Sequence, residues 1–308
     1  MAAESPPSFP EGSETLADER KERENLQGVE AIMGRRKLAG LRTIVTGASQ
    51  GIGRALVVEA ARRGMRVLAV ARSASLLDEL VQEVGRAGGE AVACVADVTR
   101  PEDRQAIVST VQQHFGGLDV LINNAGIGAT GHFMDSDPQV LRQIFETNFF
   151  ALAEMIRLCL PLLRAGTTPA IVNISSVLGK RALPARSLYS ASKFAVAGFS
   201  EALRAELIKD SIDVIVVSPG LTRTNFSQNM LEQKARLPLD HLRGMSSEEV
   251  AVATLRALEK GQVDVTLTWR GRLLVLANRF FPGLVDRLAR RTVRRLFADE
   301  MAQRQKRS

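Results

Sequence analysis

A tyrosine and a lysine four positions apart are the residues best suited to acid and base chemistry. Tyr189 is the single tyrosine among 308 residues, whereas phenylalanine occurs twelve times. Residues at i and i+4 share one face of a helix, so Lys193 is expected beside the phenol. Positive charge close to a phenol favours the phenolate and lowers a pKa that is otherwise about 10. The pair therefore predicts a proton donor and acceptor, and Ser176 is expected to hydrogen-bond the oxygen of a substrate.

The same spacing has a structural interpretation, in which a partly buried aromatic ring is covered by the stem of a lysine. Such pairs arise often by chance. The use of phenylalanine elsewhere shows that packing was met without hydroxyl groups. Because Tyr189 is the single tyrosine of the chain, a chemical role is favoured over packing.

A glycine-rich segment after the first predicted strand is suited to binding phosphate. Its spacing is Gly-x-x-x-Gly-x-Gly, and it opens a predicted helix. Glycines permit a tight turn and a close approach of the backbone to a pyrophosphate, whose charge is favoured at a helix N-terminus. A plain glycine-rich turn is the alternative, but the position between strand and helix favours a dinucleotide. The candidate cofactor residues here are Thr46, Gly47, Ser49, Gln50, Gly51, Ile52 and Gly53.

The side chain that follows the second predicted strand indicates which dinucleotide is bound. In dinucleotide folds this position reads the adenosine ribose. Here it is Arg72, which could pair with a 2′-phosphate, and no carboxylate stands there for a 2′-hydroxyl. The sequence thus predicts NADP(H), with NAD(H) still possible. A tyrosine of tuned pKa beside a nicotinamide predicts interconversion of a carbonyl and an alcohol by hydride transfer, with an oxidised nicotinamide also lowering that pKa.

Further polar and small residues follow the third and fourth predicted strands. They could contact an adenine or let a cofactor lie against the backbone, although turn chemistry explains the same residue types. These candidates are Asp97, Val98, Asn124, Ala125 and Gly126.

Strands and helices alternate from residue 41 onward, which positions these candidates at strand ends. The apolar pattern predicts strands at Thr43–Val45, Arg66–Ala71, Ala91–Val95, Val120–Ile122, Ala170–Ile174, Asp213–Val217 and Asp264–Thr268. Helices are predicted at Ile52–Arg63, Ser75–Arg86, Pro101–Phe115, Pro138–Leu163, Ser187–Lys209 and Ser247–Glu259, the last with a capping box from Ser246 to Glu249. The fold class predicted is α/β: a three-layer doubly wound parallel sheet of Rossmann type with a C-terminal helical extension.

The distribution of charge suggests three segments. Residues 1–37 are a polar extension expected to be flexible, 38–270 form the nucleotide-binding domain, and 271–308 form a basic amphipathic extension. From Arg270 onward there are eleven Lys or Arg against three Asp or Glu, enough to account for the net charge of +7. A nucleic-acid partner is not expected, because the charge is confined to one terminal helix rather than interleaved with aromatic residues over a folded surface.

Composition favours a cytoplasmic protein. No apolar run is long enough to span a bilayer, and MAAESPPSFP has neither the basic start nor the apolar stretch of a secretory signal. Cys94 and Cys159 are expected to be buried free thiols. His114, His132 and His241 lack metal-ligand spacing, so no catalytic metal is predicted.

Together these residues resemble the short-chain dehydrogenase/reductase family, in its shorter one-domain branch, over residues 38–270. The resemblance implies a catalytic set of Asn148, Ser176, Tyr189 and Lys193, with Asn148 holding a proton-relaying water and Lys193 bonding the nicotinamide ribose. From the residues alone, Asn148 is a mid-helix polar residue bonded to backbone. The resemblance also implies that Pro219, Gly220 and Thr224 contact the nicotinamide end, and that the protein is a dimer or tetramer. One departure is Gln50, where many NADP(H)-preferring members carry a basic residue.

The region after Thr224 has no clear periodicity and, by the resemblance, folds over the substrate. Its apolar residues favour a lipophilic molecule, although loop anchoring explains them as well. The residues concerned are Phe226, Met230, Leu231, Leu237 and Leu242, with Leu178 and Leu183 before Tyr189.

The terminal segment Leu284–Phe297 is an amphipathic helix in this interpretation. Its apolar face suits an anionic membrane surface, another subunit or docking on its own domain. An alternative to an enzyme is a protein that binds NADP(H) as a sensor or scaffold without turnover, but all four residues of the implied catalytic set are present.

Overall fold

Seven parallel strands form the central sheet of the computed structural model, which describes residues 36–235 and 244–297. The strands are β1 Arg42–Thr46, β2 Arg66–Ala71, β3 Glu90–Val95, β4 Val120–Asn123, β5 Ala170–Ile174, β6 Asp213–Ser218, β7 Thr222–Arg223, β8 Met245–Ser246 and β9 Asp264–Thr266. In space the order of the seven is β3-β2-β1-β4-β5-β6-β9, and the short strands β7 and β8 pair with each other. The predicted doubly wound sheet is confirmed.

Strand β1 lies where the winding of the sheet reverses. Thr43 is paired with Val67 on one side and with Val120 on the other, both in parallel register. In such sheets the carboxyl ends of the two central strands diverge and leave a crevice for ligands. The fold therefore places a crevice just beyond β1 and β4.

Helices cover both faces of the sheet because adjacent strand residues point to opposite sides. Ile44 and Val45 are both fully buried, yet they belong to different hydrophobic clusters. The helices are α1 Gly51–Arg62, α2 Ala74–Arg86, α3 Pro101–Phe115, α4 Pro138–Phe145, α5 Ala151–Arg164, α6 Ser187–Glu206, α7 Ser247–Glu259, α8 Trp269–Phe280 and α9 Pro282–Leu296. Residues of α1, α2 and α7 close one cluster, and residues of α3, α5 and α6 close the other.

The expectation of one continuous helix over Pro138–Leu163 is wrong. A five-residue π-helical turn, Glu146–Phe150, separates α4 from α5. Within it, the Asn148 side chain turns inward and pairs with the backbone of Ile127. Such insertions are rare and occur often at functional sites. The periodicity of the sequence does not reveal one extra residue in a turn.

Several local predictions at the ends of elements can be checked directly. The capping box is confirmed: Ser246 Oγ accepts from the Glu249 N–H, and the Glu249 carboxylate accepts from the Ser246 N–H. The last strand ends at Thr266 rather than at Thr268, because the Thr268 hydroxyl caps α8 by accepting from the Gly271 N–H. Cys94 and Cys159 are buried free thiols, as expected.

The described residues nearest the two chain ends are bonded to the domain. Residues 1–35 of the predicted flexible segment lie outside the described residues, whereas Arg36 is buried and its guanidinium pairs with Asp213 at 2.7 Å. At the other end, α8 spans the predicted boundary at residue 270. Arg181 holds both terminal helices, donating to Asn278 at 2.9 Å and pairing with Asp286 at 2.6 Å. The three-segment division stays a prediction.

Candidate active site

A cleft of about 1160 Å³ opens at the carboxyl ends of the central strands. Drug-sized ligands occupy pockets of roughly 300–1,000 Å³, so this cleft has room for a larger molecule. Most of the predicted site residues line it, and three of them, Thr46, Gly53 and Asn148, do not. The cleft is lined by the predicted residues Gly47, Ser49, Gln50, Gly51, Ile52, Arg72, Asp97, Val98, Asn124, Ala125, Gly126, Ser176, Tyr189, Lys193, Pro219, Gly220 and Thr224.

The glycine loop between β1 and α1 has the backbone shape that its sequence predicts. Gly47 and Gly51 have φ angles of +66° and +53°, and a Cβ on Gly47 would lie 2.8 Å from Ala125 Cα. Helix α1 begins without a side-chain cap from Gln50 and without an acidic residue in its first turn. Its N–H groups and the positive end of its dipole are therefore available to an anion. This cradle fits a pyrophosphate.

Thr46 and Gly53 lie behind the loop and do not line the cleft, so their contact with the cofactor stays a prediction. Thr46 Oγ1 accepts from the N–H groups of Asn124 and Ala125, at 3.0 and 3.1 Å. The Asn124 amide donates to the Thr46 carbonyl at 3.0 Å. A Cβ on Gly53 would lie 2.0 Å from the Gly47 carbonyl oxygen. Both residues are buried, so they fix the shape of the cradle rather than its surface.

Arg72 and Asp97 meet at the far end of the cleft. Arg72 is largely exposed, and its Nη1 lies 3.9 Å from Asp97 Oδ2. Burial by itself would raise the pKa of Asp97, but hydrogen bonds from Thr99 and the charges of Arg72 and Arg100 bring that pKa below its usual value. The sequence placed no carboxylate after the second strand. The fold supplies one from the end of the third.

Ser176, Tyr189 and Lys193 come together at the opposite end. Ser176 follows β5, and its hydroxyl hydrogen-bonds with that of Tyr189, in the first turn of α6. Lys193 Nζ lies 5.8 Å from the centre of the Tyr189 ring and donates to the Ile174 carbonyl at 2.8 Å. The three side chains therefore lie close together, as their spacing in the sequence predicts.

The pKa of the phenol differs from the expected direction. Burial raises the pKa of Tyr189 to about 12, and the hydrogen bond from Ser176 and the charge of Arg186 offset only part of that rise. Burial also lowers the pKa of Lys193 to about 8. Both shifts disfavour the charged form because burial removes hydration from both groups, and the nearby charge of Arg186 is too weak to reverse this for Tyr189. In the chain by itself the pKa of Tyr189 is therefore raised, and its lowering by Lys193 together with an oxidised nicotinamide stays a prediction.

Asn148 lies directly behind the cleft wall, in the π-helical turn. Its Oδ1 accepts from the Ile127 N–H at 2.8 Å, and its Nδ2 donates to the Ile127 carbonyl at 3.0 Å and to Ser192 Oγ at 2.9 Å. A Cβ on Gly126 would approach Asn148 Oδ1 at 3.3 Å and Lys193 Nζ at 3.6 Å. Asn148 is therefore bonded to backbone and is also a close neighbour of the lysine.

The segment after β6 covers the Tyr189 end of the cleft. The Phe226 ring meets Tyr189 edge to face at 5.5 Å, and the Asn229 amide donates to Gln50 at 3.4 Å. Helix α8 contributes Leu274 to the same wall. The expected apolar lining residues Leu178, Leu183, Phe226, Met230 and Leu231 are present, whereas Leu237 and Leu242 lie outside the described residues.

Two further features bear on the chemistry. Arg186 lines the cleft three positions before Tyr189 and was missed, although a charged residue at the entry to this helix was visible in the sequence. Among residues 36–235 and 244–297, no three His, Cys, Asp or Glu side chains are placed to hold a metal ion.

Comparison with known proteins identifies the family. The model of the short chain dehydrogenase family matches residues 42–235. The chain is 36% identical to dehydrogenase/reductase SDR family member 7B of Bos taurus over 80% of its length and 79% of the relative, and 33% identical to the ketoacyl reductase HetN of Nostoc, over 82% and 89%. A short chain dehydrogenase/reductase from Burkholderia phymatum in complex with NAD has the same fold, with a TM-score of 0.74 at 24% identity over 81% of this chain and 96% of that one. The chain belongs to the short-chain dehydrogenase/reductase family and is an NAD(P)-dependent oxidoreductase.

Proposed function

We propose that the protein interconverts a lipophilic carbonyl compound and its alcohol with NADP(H), using Tyr189 as the proton donor and acceptor. The observation that carries this proposal is the position of Ser176, Tyr189 and Lys193 at one end of a cleft whose other end holds Arg72. The glycine cradle between the two ends fits the pyrophosphate of a dinucleotide. When bound, the nicotinamide supplies or accepts the hydride.

Each polar residue at the Tyr189 end has a distinct task in this proposal. A pKa of about 12 keeps Tyr189 protonated near neutral pH, so the phenol is ready to donate to a carbonyl oxygen. Ser176, which already hydrogen-bonds the phenol, orients the same oxygen. Lys193 donates to the Ile174 carbonyl, and its positive charge there would stabilise the phenolate that Tyr189 forms during reduction. Asn148, behind Gly126, is the proposed site of a relay water.

The preference for NADP(H) over NAD(H) rests on Arg72. Its guanidinium is exposed at the end of β2, where a 2′-phosphate would find a planar set of donors. Asp97, at 3.9 Å, competes for the same guanidinium but does not make a close pair. Ser49 lines the neighbouring wall and adds a hydroxyl donor.

The apolar wall at the Tyr189 end favours a lipophilic substrate. Phe226 meets the Tyr189 ring, and Leu183, Met230 and Leu274 line the same cleft. A polar substrate would leave these side chains facing its hydroxyl groups without partners. The substrate proposed is therefore a ketone or aldehyde with a hydrocarbon chain.

The test is consumption of NADPH with a series of ketones and aldehydes of increasing chain length. We expect kcat/KM to rise with chain length for the wild type, and turnover to fall by about 10²–10⁴-fold for Tyr189→Phe. Tyr189→Phe should still bind NADPH with unchanged affinity, measured by cofactor fluorescence. Full turnover by this variant, or a preference for short polar substrates, would contradict the proposal.

The C-terminal helix pair is proposed to bind the surface of an anionic membrane. One face of α8 presents Trp269, Leu273, Leu276 and Phe280, which are between 54% and 69% exposed, and Phe281 and Leu284 continue this surface into α9. Residues 269–297 also contain eight arginines against the single acidic Asp286. Exposed aromatic and aliphatic residues flanked by arginines are typical of helices that lie in the headgroup region.

A second copy of the chain fits this surface less well. A two-fold interface would bring identical arginine-rich segments together, and like charges across an interface are costly. A lipid surface instead supplies phosphates for the arginines and acyl chains for Phe280 and Phe281. In addition, within the described residues no helix has both the length and the apolar character to cross a bilayer.

Vesicle sedimentation of the full chain tests this surface. We expect binding to vesicles with equal parts phosphatidylglycerol and phosphatidylcholine, weakening in high salt, and little binding to phosphatidylcholine alone. Phe280→Ser with Phe281→Ser, and separately Arg290→Gln with Arg291→Gln, should each weaken it. Equal binding to charged and uncharged vesicles would contradict the proposal. So would finding that the wild type is a dimer and that these substitutions convert it to a monomer, because the surface would then be a subunit interface.

A further inference from the structure

Among the residues that the structure describes, no counter-charge lies beside the buried guanidinium of Arg186. It is 7% exposed, and its Nε is enclosed without a hydrogen-bond partner. Across residues 36–235 and 244–297 its side chain makes one hydrogen bond, from Nη1 to the sulfur of Met230 at 3.3 Å, and no ion pair. Buried arginines are normally paired, because an uncompensated guanidinium loses its hydration. A thioether is a weak acceptor, so the guanidinium is left with donors that the chain does not use.

This cation stands within the cleft, close to the reacting group. Arg186 precedes the first turn of α6, three residues before Tyr189, and both line the same cavity. The two side chains are close enough for the charge of Arg186 to lower the pKa of Tyr189, although burial dominates that pKa. The surrounding wall is apolar, with Leu183, Met230 and Leu231. Any anion bound to Arg186 would therefore lie near the group that exchanges the proton.

The backbone that carries Arg186 is held in an unfavourable conformation. Ala185 has a φ of +57°, in the left-handed region, and its carbonyl accepts from the Gly131 N–H at 3.1 Å. Non-glycine residues in this region are strained, and they cluster at active sites, ligand clamps and switch regions. The strained backbone at Ala185 therefore fixes the position from which the Arg186 side chain enters the cleft.

We propose that Arg186 binds a carboxylate on the substrate, so that the molecule reduced is an oxo acid with an apolar chain. This inference rests on the proposed function of the cleft and specifies its substrate class. A single guanidinium matches a carboxylate in charge and in planar, two-pronged geometry. The carboxylate and the reacting carbonyl lie within a few bonds of each other, because Arg186 and Tyr189 are neighbours. The apolar wall then receives the remaining chain.

Binding of inert ligands separates this inference from catalysis. Octanoate and octanamide have the same length and differ in charge, and neither presents a ketone for reduction. Their dissociation constants are measured by calorimetry on the chain saturated with NADP⁺, for the wild type, Arg186→Gln and Arg186→Lys. We expect the preference for octanoate over octanamide to fall by about 10- to 100-fold in Arg186→Gln, which is the range for a hydrogen bond to a charged group. Arg186→Lys should recover part of it.

Arg223→Gln provides a matched control, since it removes the same charge from an exposed residue outside the cavity lining. It should leave the preference unchanged, and thermal unfolding of each variant verifies that the chain is folded. Equal binding of the two ligands by the wild type would overturn the inference. An equal loss of affinity for both ligands in Arg186→Gln would also overturn it, because Arg186 would then only support the shape of the cleft wall.

Turnover adds an independent comparison between an oxo acid and its methyl ester. We expect the wild type to prefer the acid and Arg186→Gln to lose that preference. If the variant instead slows both substrates equally and shifts the pH profile to higher pH, Arg186 acts on the Tyr189 phenol and the carboxylate site is refuted. A wild type that binds octanoate through Arg186 but reduces no carbonyl compound would contradict the proposed reaction and leave the anion site standing.

Discussion

The two ends of the cleft are built in different ways. At the glycine loop, polar groups are satisfied within the chain: Thr46 accepts from two backbone N–H groups, and Asn124 donates back to the loop. At the Tyr189 end, two ionisable side chains have pKa values shifted toward their neutral forms, and Arg186 has an unpaired Nε. The hydrogen bonds that shape the first end are complete within the chain, while the uncapped N–H groups of α1 remain available to an anion. The second leaves charged groups whose desolvation is not offset.

The comparison indicates that the Tyr189 end, where buried charged groups lack partners, is less stable than it could be because its side chains serve the reaction. A complete polar network gives a rigid cradle, whose shape depends on glycines and can be broken by one added methyl group. Buried groups without partners are individually costly and are retained where a ligand uses them. Substitutions in the glycine cradle should therefore lower the stability of the folded chain, whereas replacing a buried charged residue at the Tyr189 end should raise it.

The largest effect is expected from Gly53→Ala. The new Cβ would lie 2.0 Å from the Gly47 carbonyl oxygen and 2.5 Å from Asn124 Nδ2, so the backbone of the cradle has to move. We expect a loss of about 3 kcal/mol in the free energy of unfolding, from overpacking, together with loss of NADPH binding. Urea unfolding and cofactor fluorescence measure the two effects.

Gly85→Ala is the matched control for this substitution. Gly85 lies in α2, and a Cβ there would meet nothing within 4 Å. Alanine in an open helical position should stabilise the chain by about 0.5–1 kcal/mol. Similar effects of the two substitutions would show that the glycine cradle is not the rigid part of the cleft.

A smaller effect of opposite sign is expected from Lys193→Met. The pKa of Lys193 is lowered to about 8 from 10.5, so the unfolded chain binds a proton that the folded chain releases between these values. The stability of the wild type should therefore rise by about 2 kcal/mol from about pH 8 to pH 10 on account of this group. Below pH 8 the full penalty for the buried charge remains. Above pH 10 the raised pKa of Tyr189 acts in the opposite sense, because the folded chain retains a proton that the unfolded chain loses.

The variant removes this group and leaves Tyr189 in place. Lys193→Met should be more stable than the wild type near pH 7, and the gap between them should close as the pH rises to about 10. Urea unfolding at several pH values measures it. A constant gap would mean that Lys193 is not a buried cation in the folded chain, and the contrast between the two ends would then rest on Arg186 alone.

The same contrast explains what the sequence could predict. The cradle was visible because a local motif builds it: glycines at fixed spacing, after a strand and before a helix. Ser176, Tyr189 and Lys193 were also found, since helical spacing and strand ends place them. The pKa direction of Tyr189 was not, because it depends on burial by Phe226 and other residues far away in the chain. Asp97 beside Arg72, the π-helical turn at Asn148 and the isolation of Arg186 likewise arise from contacts between distant segments.

The smallest effect is expected at the outer edge of the cradle end, from Arg72→Ala. Arg72 is 76% exposed, so water and salt weaken its interaction with a 2′-phosphate, and the loss of NADPH affinity should be about tenfold. Affinity for NADH should change little, because a 2′-hydroxyl offers no charge to the guanidinium. Arg100→Ala removes the same charge from an exposed residue outside the cavity lining and should leave both affinities unchanged. Titrations of both cofactors at low and high salt measure the ratio. If Arg72→Ala loses affinity for NADPH and for NADH by the same factor, Arg72 does not recognise the 2′-phosphate. The cradle end would then bind both dinucleotides alike, unless Ser49 distinguishes them.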